Sequence, residues 1–159
     1  KNFEKILSAD ARSLEFIVTR CSQIKADIVS EDEKETKSIR TILNFGHTIG
    51  HAVEAAGRFT RFTHGEAISV GMMFALDLSC DFGLINYDLL SRVEILLRKI
   101  GLPVVVSKMP LENIIKYYYS DKKFFGSKNR FVLIEDNIGR TKIVENIPLD
   151  LIKNVLKTV

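Results

Sequence analysis

The spacing of hydrophobic residues along the chain predicts a mainly helical protein with one small β-hairpin near its C-terminal end. Apolar residues recur every three or four positions through most of the sequence, as in amphipathic helices. Two short runs, RFVLIE and KIV, instead have β character and enclose the turn sequence DNIGRT. We expect helices over 2–29 (in two parts, the second capped by Asp10), 38–57, 64–82, 88–99, 111–119 and 149–159, and strands over 130–135 and 142–144.

The segment 64–82 is apolar on nearly every side, which predicts a helix at the centre of the domain. Thr63 and Glu66 have the spacing of a capping box at its start. The preceding helix, 38–57, contains Gly46 and Gly50, each of which costs about 1 kcal/mol against alanine in a helix. Such a cost predicts close approach by a neighbouring helix or a ligand. The charged stretch SEDEKET is typical of a solvated loop.

Composition places the chain among soluble globular proteins. Its 159 residues are 46% hydrophobic and 27% charged, enough for one domain with its own core, residues 1–159. The net charge of +3 comes from interleaved signs and gives no argument for nucleic acid. No run is long enough to span a membrane, and no signal peptide is visible. Because the first residue is Lys1, we expect a fragment or a processed chain; Cys21 and Cys80 are predicted to be buried thiols of a reducing compartment.

All three histidines lie in one stretch, Arg40 to Glu66. His47 and His51 are four residues apart, so on a helix they share one face. Thr48 stands where the HExxH metalloproteases have their glutamate, which excludes that mechanism. A structural role for the pair remains open. With His64, and with Arg40, Asn44, Glu54 and Glu66 nearby, the pattern predicts a site for a metal or an anion, without defining a reaction.

Several motifs in this stretch and beyond it resemble those of the 3-dehydroquinate synthases. They are RTILNFGHTIGHAVE, THGEAISVGMMFA, KADIVSEDEKET and SDKKFFGSKNRFVLIEDNIG, in the expected order. The resemblance covers nearly the whole chain and implies the multi-helix C-terminal domain of that fold, without the N-terminal α/β domain that binds NAD. Two departures occur: GRFTRF replaces a Gly-Tyr-Gly type turn, and KSIR is one residue longer than the family's GLR.

The resemblance implies a role in the shikimate pathway, in the cytoplasm. The family converts 3-deoxy-D-arabino-heptulosonate 7-phosphate to 3-dehydroquinate and phosphate, using NAD⁺ and a zinc or cobalt ion. A substrate hydroxyl is transiently oxidised, phosphate is eliminated, and reduction, ring opening and aldol closure follow. The family is commonly dimeric. With the NAD domain and one metal ligand absent, we expect the isolated chain to be inactive.

The resemblance also implies roles for individual residues. His47 and His64 match the metal-binding histidines, and the third protein ligand is a glutamate that precedes this domain. His51 matches a residue that contacts substrate and assists proton transfer. The resemblance therefore replaces the simpler interpretation of the spacing, in which His47 and His51 together bind one metal ion. The remaining matches are in the substrate site: Lys25 as a catalytic residue, Arg40 near the phosphate, Asn44, and one of Lys122 and Lys123.

Three alternatives remain beside this assignment. One is another sugar-phosphate cyclase, which makes an aminocyclitol precursor and shares most of the motifs. A second is a metal-dependent alcohol or glycerol dehydrogenase domain, and a third is a non-catalytic helical binding module that keeps the histidines for structure. LNFGHTIGH together with the DKK motif favours the dehydroquinate synthases.

Overall fold

The computed structural model describes residues 3–34, 36–107, 109–125 and 129–159, with the backbone alone for 121–125. Within these residues the chain is mainly helical and carries a two-stranded antiparallel sheet, as predicted. No described helix is long and apolar enough to cross a membrane. The elements are α1 Phe3–Leu7, α2 Ala11–Glu31, a 3₁₀-helix Arg40–Asn44, α3 His47–Ala56, α4 His64–Asp81, α5 Tyr87–Lys99, α6 Leu111–Phe125, β1 Arg130–Ile134, β2 Thr141–Glu145 and α7 Leu149–Val155.

The chain divides into two compact units, residues 1–43 and 44–159. In the first unit Asp10 caps α2 by accepting the Ser13 N–H, as predicted. No residue of α2 is buried, so the prediction of a buried thiol at Cys21 is wrong. The apolar spacing that suggested burial gives α2 an apolar stripe, but Phe16 and Val18 are 69% and 63% exposed.

The predicted solvated loop after α2 is wrong at Asp32, whose side chain is only 2% exposed. Its carboxylate accepts the backbone N–H groups of Lys37 at 2.9 Å, Ile39 at 2.9 Å and Arg40 at 3.2 Å. These bonds, that of Lys37 above all, hold the pKa of Asp32 below its ordinary value. The Asp32 carboxylate in this acidic run is therefore structural, because its hydrogen bonds hold the backbone that leads to Arg40 in a turn.

We expect Asp32→Asn to loosen this turn and to flatten the acid dependence of stability. The pKa of Asp32 is lower in the folded state than in the unfolded state, so its contribution is complete above about pH 4 and is lost as the pH falls through the folded value. Hydrogen exchange at the Ile39 and Arg40 amides, and unfolding measured from pH 6 to pH 2, check this. The exposed neighbour Glu33→Gln is the control; equal effects from both variants would contradict the assignment.

The second unit is built around α4, which confirms the predicted central helix. Most of its residues are buried, and Val70, Phe74 and Leu78 are fully so. Buried Ser79 joins α4 to β1, since its Oγ donates to the Ala75 carbonyl at 2.6 Å and accepts the Ile134 N–H at 3.1 Å. Cys80, on the same helix, is half-buried, and burial raises the pKa of its thiol.

The single helix predicted over 38–57 is wrong: it is a 3₁₀-helix, a break at Phe45 and Gly46, and α3. Gly46 adopts a left-handed conformation (φ 79°) directly before His47. Glycine tolerates this conformation without steric cost. The apolar residues keep a helical period across the break, and this is why periodicity alone did not reveal it.

Other boundaries were predicted less accurately. α5 begins at Tyr87, one residue before the predicted start, and is capped by Asn86, whose side chain accepts the Leu89 N–H. α6 continues to Phe125, beyond the predicted end at residue 119. The hairpin pairs Arg130 with Glu145 in antiparallel register and confirms the predicted strands within a residue or two.

Glycines allow α3 and α4 to cross with their backbones in contact. This agrees with the close approach that was predicted at Gly46 and Gly50. A Cβ on Gly71 of α4 would overlap the carbonyl oxygen of Gly46 and lie 2.8 Å from the Gly50 nitrogen. A Cβ on Gly46 would lie 2.8 Å from the Met72 nitrogen. The neighbour at this crossing is a helix, and the contact fixes the two elements that carry the histidines.

Candidate metal and substrate site

The three histidines converge in the second unit. One ring nitrogen from each of His47, His51 and His64 lies within 4.8 Å of those of the other two. The ring centroids are 5.3 Å apart for His47 and His51, 5.5 Å for His47 and His64, and 5.8 Å for His51 and His64. Three imidazoles at these separations form a compact group of nitrogen donors at the protein surface.

Two of these rings, those of His47 and His64, belong to residues that begin a helix. His47 is the first residue of α3, after the left-handed turn at Gly46, and His51 follows one turn later. His64 is the first residue of α4, and Thr63 caps that helix with Glu66 in the predicted capping box. The Glu66 carboxylate accepts from the Thr63 N–H at 2.7 Å and the Thr63 hydroxyl at 2.8 Å, so its observed role is in the cap.

Hydrogen bonds at Nδ1 distinguish His47 and His64 from His51. His47 Nδ1 lies 3.2 Å from the Phe45 carbonyl oxygen, and His64 Nδ1 lies 3.2 Å from Oε2 of Glu54. An acceptor at Nδ1 favours the tautomer in which Nδ1 carries the proton and Nε2 keeps its lone pair. His51 is exposed and hydrogen-bonds to no other described residue through its ring.

His47 also differs from His51 in its burial. His47 is half-buried, and desolvation, as the largest effect, lowers the pKa of its imidazole below the ordinary value. The Phe45 carbonyl opposes this, while the neighbouring His51 and His64 act in the same direction as burial. A histidine that stays neutral keeps a lone pair for a metal ion.

The residues therefore fit a divalent zinc-like ion. Zinc and cobalt accept neutral imidazole nitrogens, and catalytic zinc sites combine about three protein ligands with an open position. Oriented imidazoles with a carbonyl or carboxylate behind them are typical of such sites. The donor set by itself does not choose between two and three histidine ligands.

The other predicted site residues fall into three groups. Asn44, the last residue of the 3₁₀-helix, is exposed and belongs to the same unit as the histidines. Lys25, exposed on α2, and Arg40, whose N–H binds Asp32, belong to the first unit, and their roles beside the histidines stay predictions. Lys122 and Lys123 are on the backbone of α6, but their side chains lie outside the described residues.

Sequence reasoning gave no role to two carboxylates that the structure places in specific bonds. Glu54 was noticed only as an acid near the histidines, although it follows His47 and His51 at positions i+7 and i+3 and so shares their helix face. Asp32 was hidden among the acidic residues of SEDEKET. Its signal would have been a carboxylate just after a helix and before a turn, a position where Asp binds nearby backbone N–H groups.

Comparison with known proteins places these features in a family. The family model for the 3-dehydroquinate synthase C-terminal region matches residues 1–124. The 3-dehydroquinate synthase of Dictyoglomus turgidum is 42% identical over 157 residues, which cover 99% of this chain and 43% of that protein. The enzyme of the same name from a Sulfurovum species is 37% identical over 158 residues, covering 98% and 45%. The chain thus spans less than half the length of these relatives.

Solved structures show the same fold. A 2-deoxy-scyllo-inosose synthase, solved with carbaglucose-6-phosphate, NAD⁺ and Co²⁺, superposes with a TM-score of 0.79 at 30% identity, over 92% of this chain and 41% of that one. The 2-epi-5-epi-valiolone synthase of Streptomyces hygroscopicus, solved with NAD⁺ and Zn²⁺, gives a TM-score of 0.78 at 21% identity, over 94% and 41%.

Proposed function

Because this chain belongs to the family of 3-dehydroquinate synthase C-terminal domains, we propose that it is the metal- and substrate-binding part of a 3-dehydroquinate synthase. The proposed reaction converts 3-deoxy-D-arabino-heptulosonate 7-phosphate to 3-dehydroquinate and phosphate. The observation that carries the proposal is the group of three imidazoles, of which two have Nδ1 held by an acceptor. Relatives of the same name, 35–42% identical over nearly the whole chain, support this substrate.

His47 and His64 would hold the metal, through the nitrogens that their hydrogen bonds leave available. A metal ion at this place would polarise a substrate oxygen, and NAD⁺ would supply the transient oxidation. Both groups accompany the related 2-deoxy-scyllo-inosose synthase. The rest of the polypeptide would provide the NAD site and the remaining metal ligand.

His51 would act on protons. Its ring lies next to both proposed ligands, is exposed, and is not held by another described side chain. A neutral imidazole nitrogen can accept a proton, and the resulting imidazolium can return it. We propose that Asn44, which is in the same unit as the histidines, binds the phosphate-bearing substrate. For Arg40, Lys25 and one of Lys122 and Lys123, a substrate-binding role rests on the resemblance alone. Cations at these positions would offset the charge of the phosphate as it leaves.

A second candidate is a sugar-phosphate cyclase with another substrate. The observation that favours it is the close structural match to 2-deoxy-scyllo-inosose synthase at 30% identity. Both candidates use the same proposed residues of this chain, so the substrate distinguishes them. Full-length protein supplied with NAD⁺ and zinc should release phosphate from the heptulosonate phosphate; release only from glucose 6-phosphate would favour the second candidate.

We expect the isolated chain of 159 residues to give no turnover. The resemblance implies that the NAD-binding domain and the third metal ligand lie elsewhere in the polypeptide, so neither oxidation nor a complete metal site would be available. Phosphate release from the heptulosonate phosphate, with saturating NAD⁺ and zinc, checks this against the full-length protein. Turnover by the isolated chain above the rate in buffer would contradict the proposal that the rest of the polypeptide provides the NAD site and the third metal ligand.

A further inference from the structure

We infer that Glu54 is a positioning residue for His64, which it holds in the orientation and tautomer that metal binding requires. This inference rests on the proposed metal site and adds a carboxylate behind one of its ligands. Oε2 of Glu54 lies 3.2 Å from Nδ1 of His64. The Glu54 side chain is 17% exposed, while that of His64 is 55% exposed.

The contact joins two helices across ten residues of sequence. Glu54 is on the last turn of α3, and His64 is the first residue of α4. The capping box fixes the backbone at the start of α4 but leaves the rotation of an exposed imidazole undetermined. The carboxylate supplies that missing constraint, because it accepts a hydrogen bond at one ring nitrogen only.

The arrangement parallels what the backbone does for His47. There the Phe45 carbonyl faces Nδ1 at the same distance, 3.2 Å. Within the described chain the two proposed ligands thus each have an acceptor at Nδ1. His64 has the stronger one, since a carboxylate is charged and increases the basicity of the opposite nitrogen. The more exposed ligand therefore depends on Glu54 for both its orientation and its donor strength.

Metal affinity of the full-length protein tests the inference. Removing a carboxylate behind a ligating histidine typically weakens metal binding by about 10–100-fold. We expect Glu54→Ala to weaken Zn²⁺ and Co²⁺ binding, measured by chelator competition, by about that factor, and Glu54→Gln by less, because its amide oxygen still accepts from Nδ1. Glu94→Gln is the control, since it removes a carboxylate bonded to Arg98 on α5. It should leave the affinity unchanged.

The tautomer of His64 gives a second readout that does not depend on metal or turnover. In metal-free protein with ¹⁵N-labelled histidine, we expect His64 to carry its proton on Nδ1, and Glu54→Ala to move the population toward Nε2. If Glu54→Ala does not fold, Glu54→Leu, which also removes the acceptor at Nδ1, takes its place in both measurements. An unchanged tautomer and an affinity within twofold of wild type would overturn the inference.

The same measurements separate this inference from the proposed function. If His47→Ala binds metal as well as the wild type does, the metal site itself is wrong. If His47→Ala loses the metal while both Glu54 variants keep it with full affinity, the site stands and only the role of Glu54 fails.

Discussion

Full-length protein carrying His47→Ala is expected to lose its metal and its turnover together, whereas His51→Ala keeps the metal and loses rate. His47 is half-buried and its Nδ1 is held by the Phe45 carbonyl, so its other nitrogen has a fixed direction. In the proposed site, replacing it would remove one of the two metal ligands that this chain provides. His51 lacks such a constraint, and loss of a group that transfers protons typically costs about 10²–10⁴-fold in rate.

The two variants serve as controls for each other. They make the same substitution four residues apart on one helix, and thermal unfolding of each variant shows that both are folded. Metal content after dialysis and phosphate release under saturating NAD⁺ and zinc are the two measurements. Equal metal loss in both variants would reverse the assignment and restore the pairing of His47 with His51 on a single ion.

Gly71→Ala is expected to destabilise the protein by more than about 3 kcal/mol, or to prevent folding. Overpacking a core typically costs about 1–3 kcal/mol, because side chains can shift to make room. Here the added Cβ would overlap the Gly46 carbonyl oxygen, which is backbone and cannot rotate away. Relief requires separating α3 from α4, and that movement also pulls His47 away from His64.

Gly65→Ala, six residues earlier on the same helix, is the matched control. A Cβ there meets nothing within 4 Å, so the change should be neutral or stabilising by up to about 1 kcal/mol. Urea unfolding of the two full-length variants compares them directly. A midpoint for Gly71→Ala close to that of Gly65→Ala would show that the crossing is looser than the structure indicates.

The sequence predicted the fold correctly wherever a local pattern of residues is compatible with only one kind of secondary structure. Apolar faces gave the central helix α4, Thr63 and Glu66 gave its start, and the alternation around DNIGRT gave the hairpin. The break before α3 was missed because its cause is long-range: Gly46 turns left-handed where it meets Met72 of the next helix. Burial of Cys21 was wrong for a similar reason, since periodicity gives a helix its apolar stripe but does not say what covers it.

The candidate site was predicted in part. Spacing alone grouped the histidines, and the structure brings them together. Their division into metal ligands and a proton carrier came from resemblance and stays a prediction, to which the acceptors at Nδ1 of His47 and His64 lend support. Spacing could not reveal those bonds, because Glu54 reaches across to another helix and Phe45 contributes a carbonyl that every residue type possesses.

The backbone contact between Gly46, Gly50 and Gly71 also limits how such a protein can evolve. Every possible replacement at these positions adds a Cβ, which at Gly46 and Gly71 would meet backbone atoms of the neighbouring helix. Divergence toward a new substrate must then proceed through residues whose side chains face outward from the crossing. A substitution at this crossing would change the spacing of the two histidine-bearing helices, whereas a substitution at an outward-facing position would leave that spacing as it is.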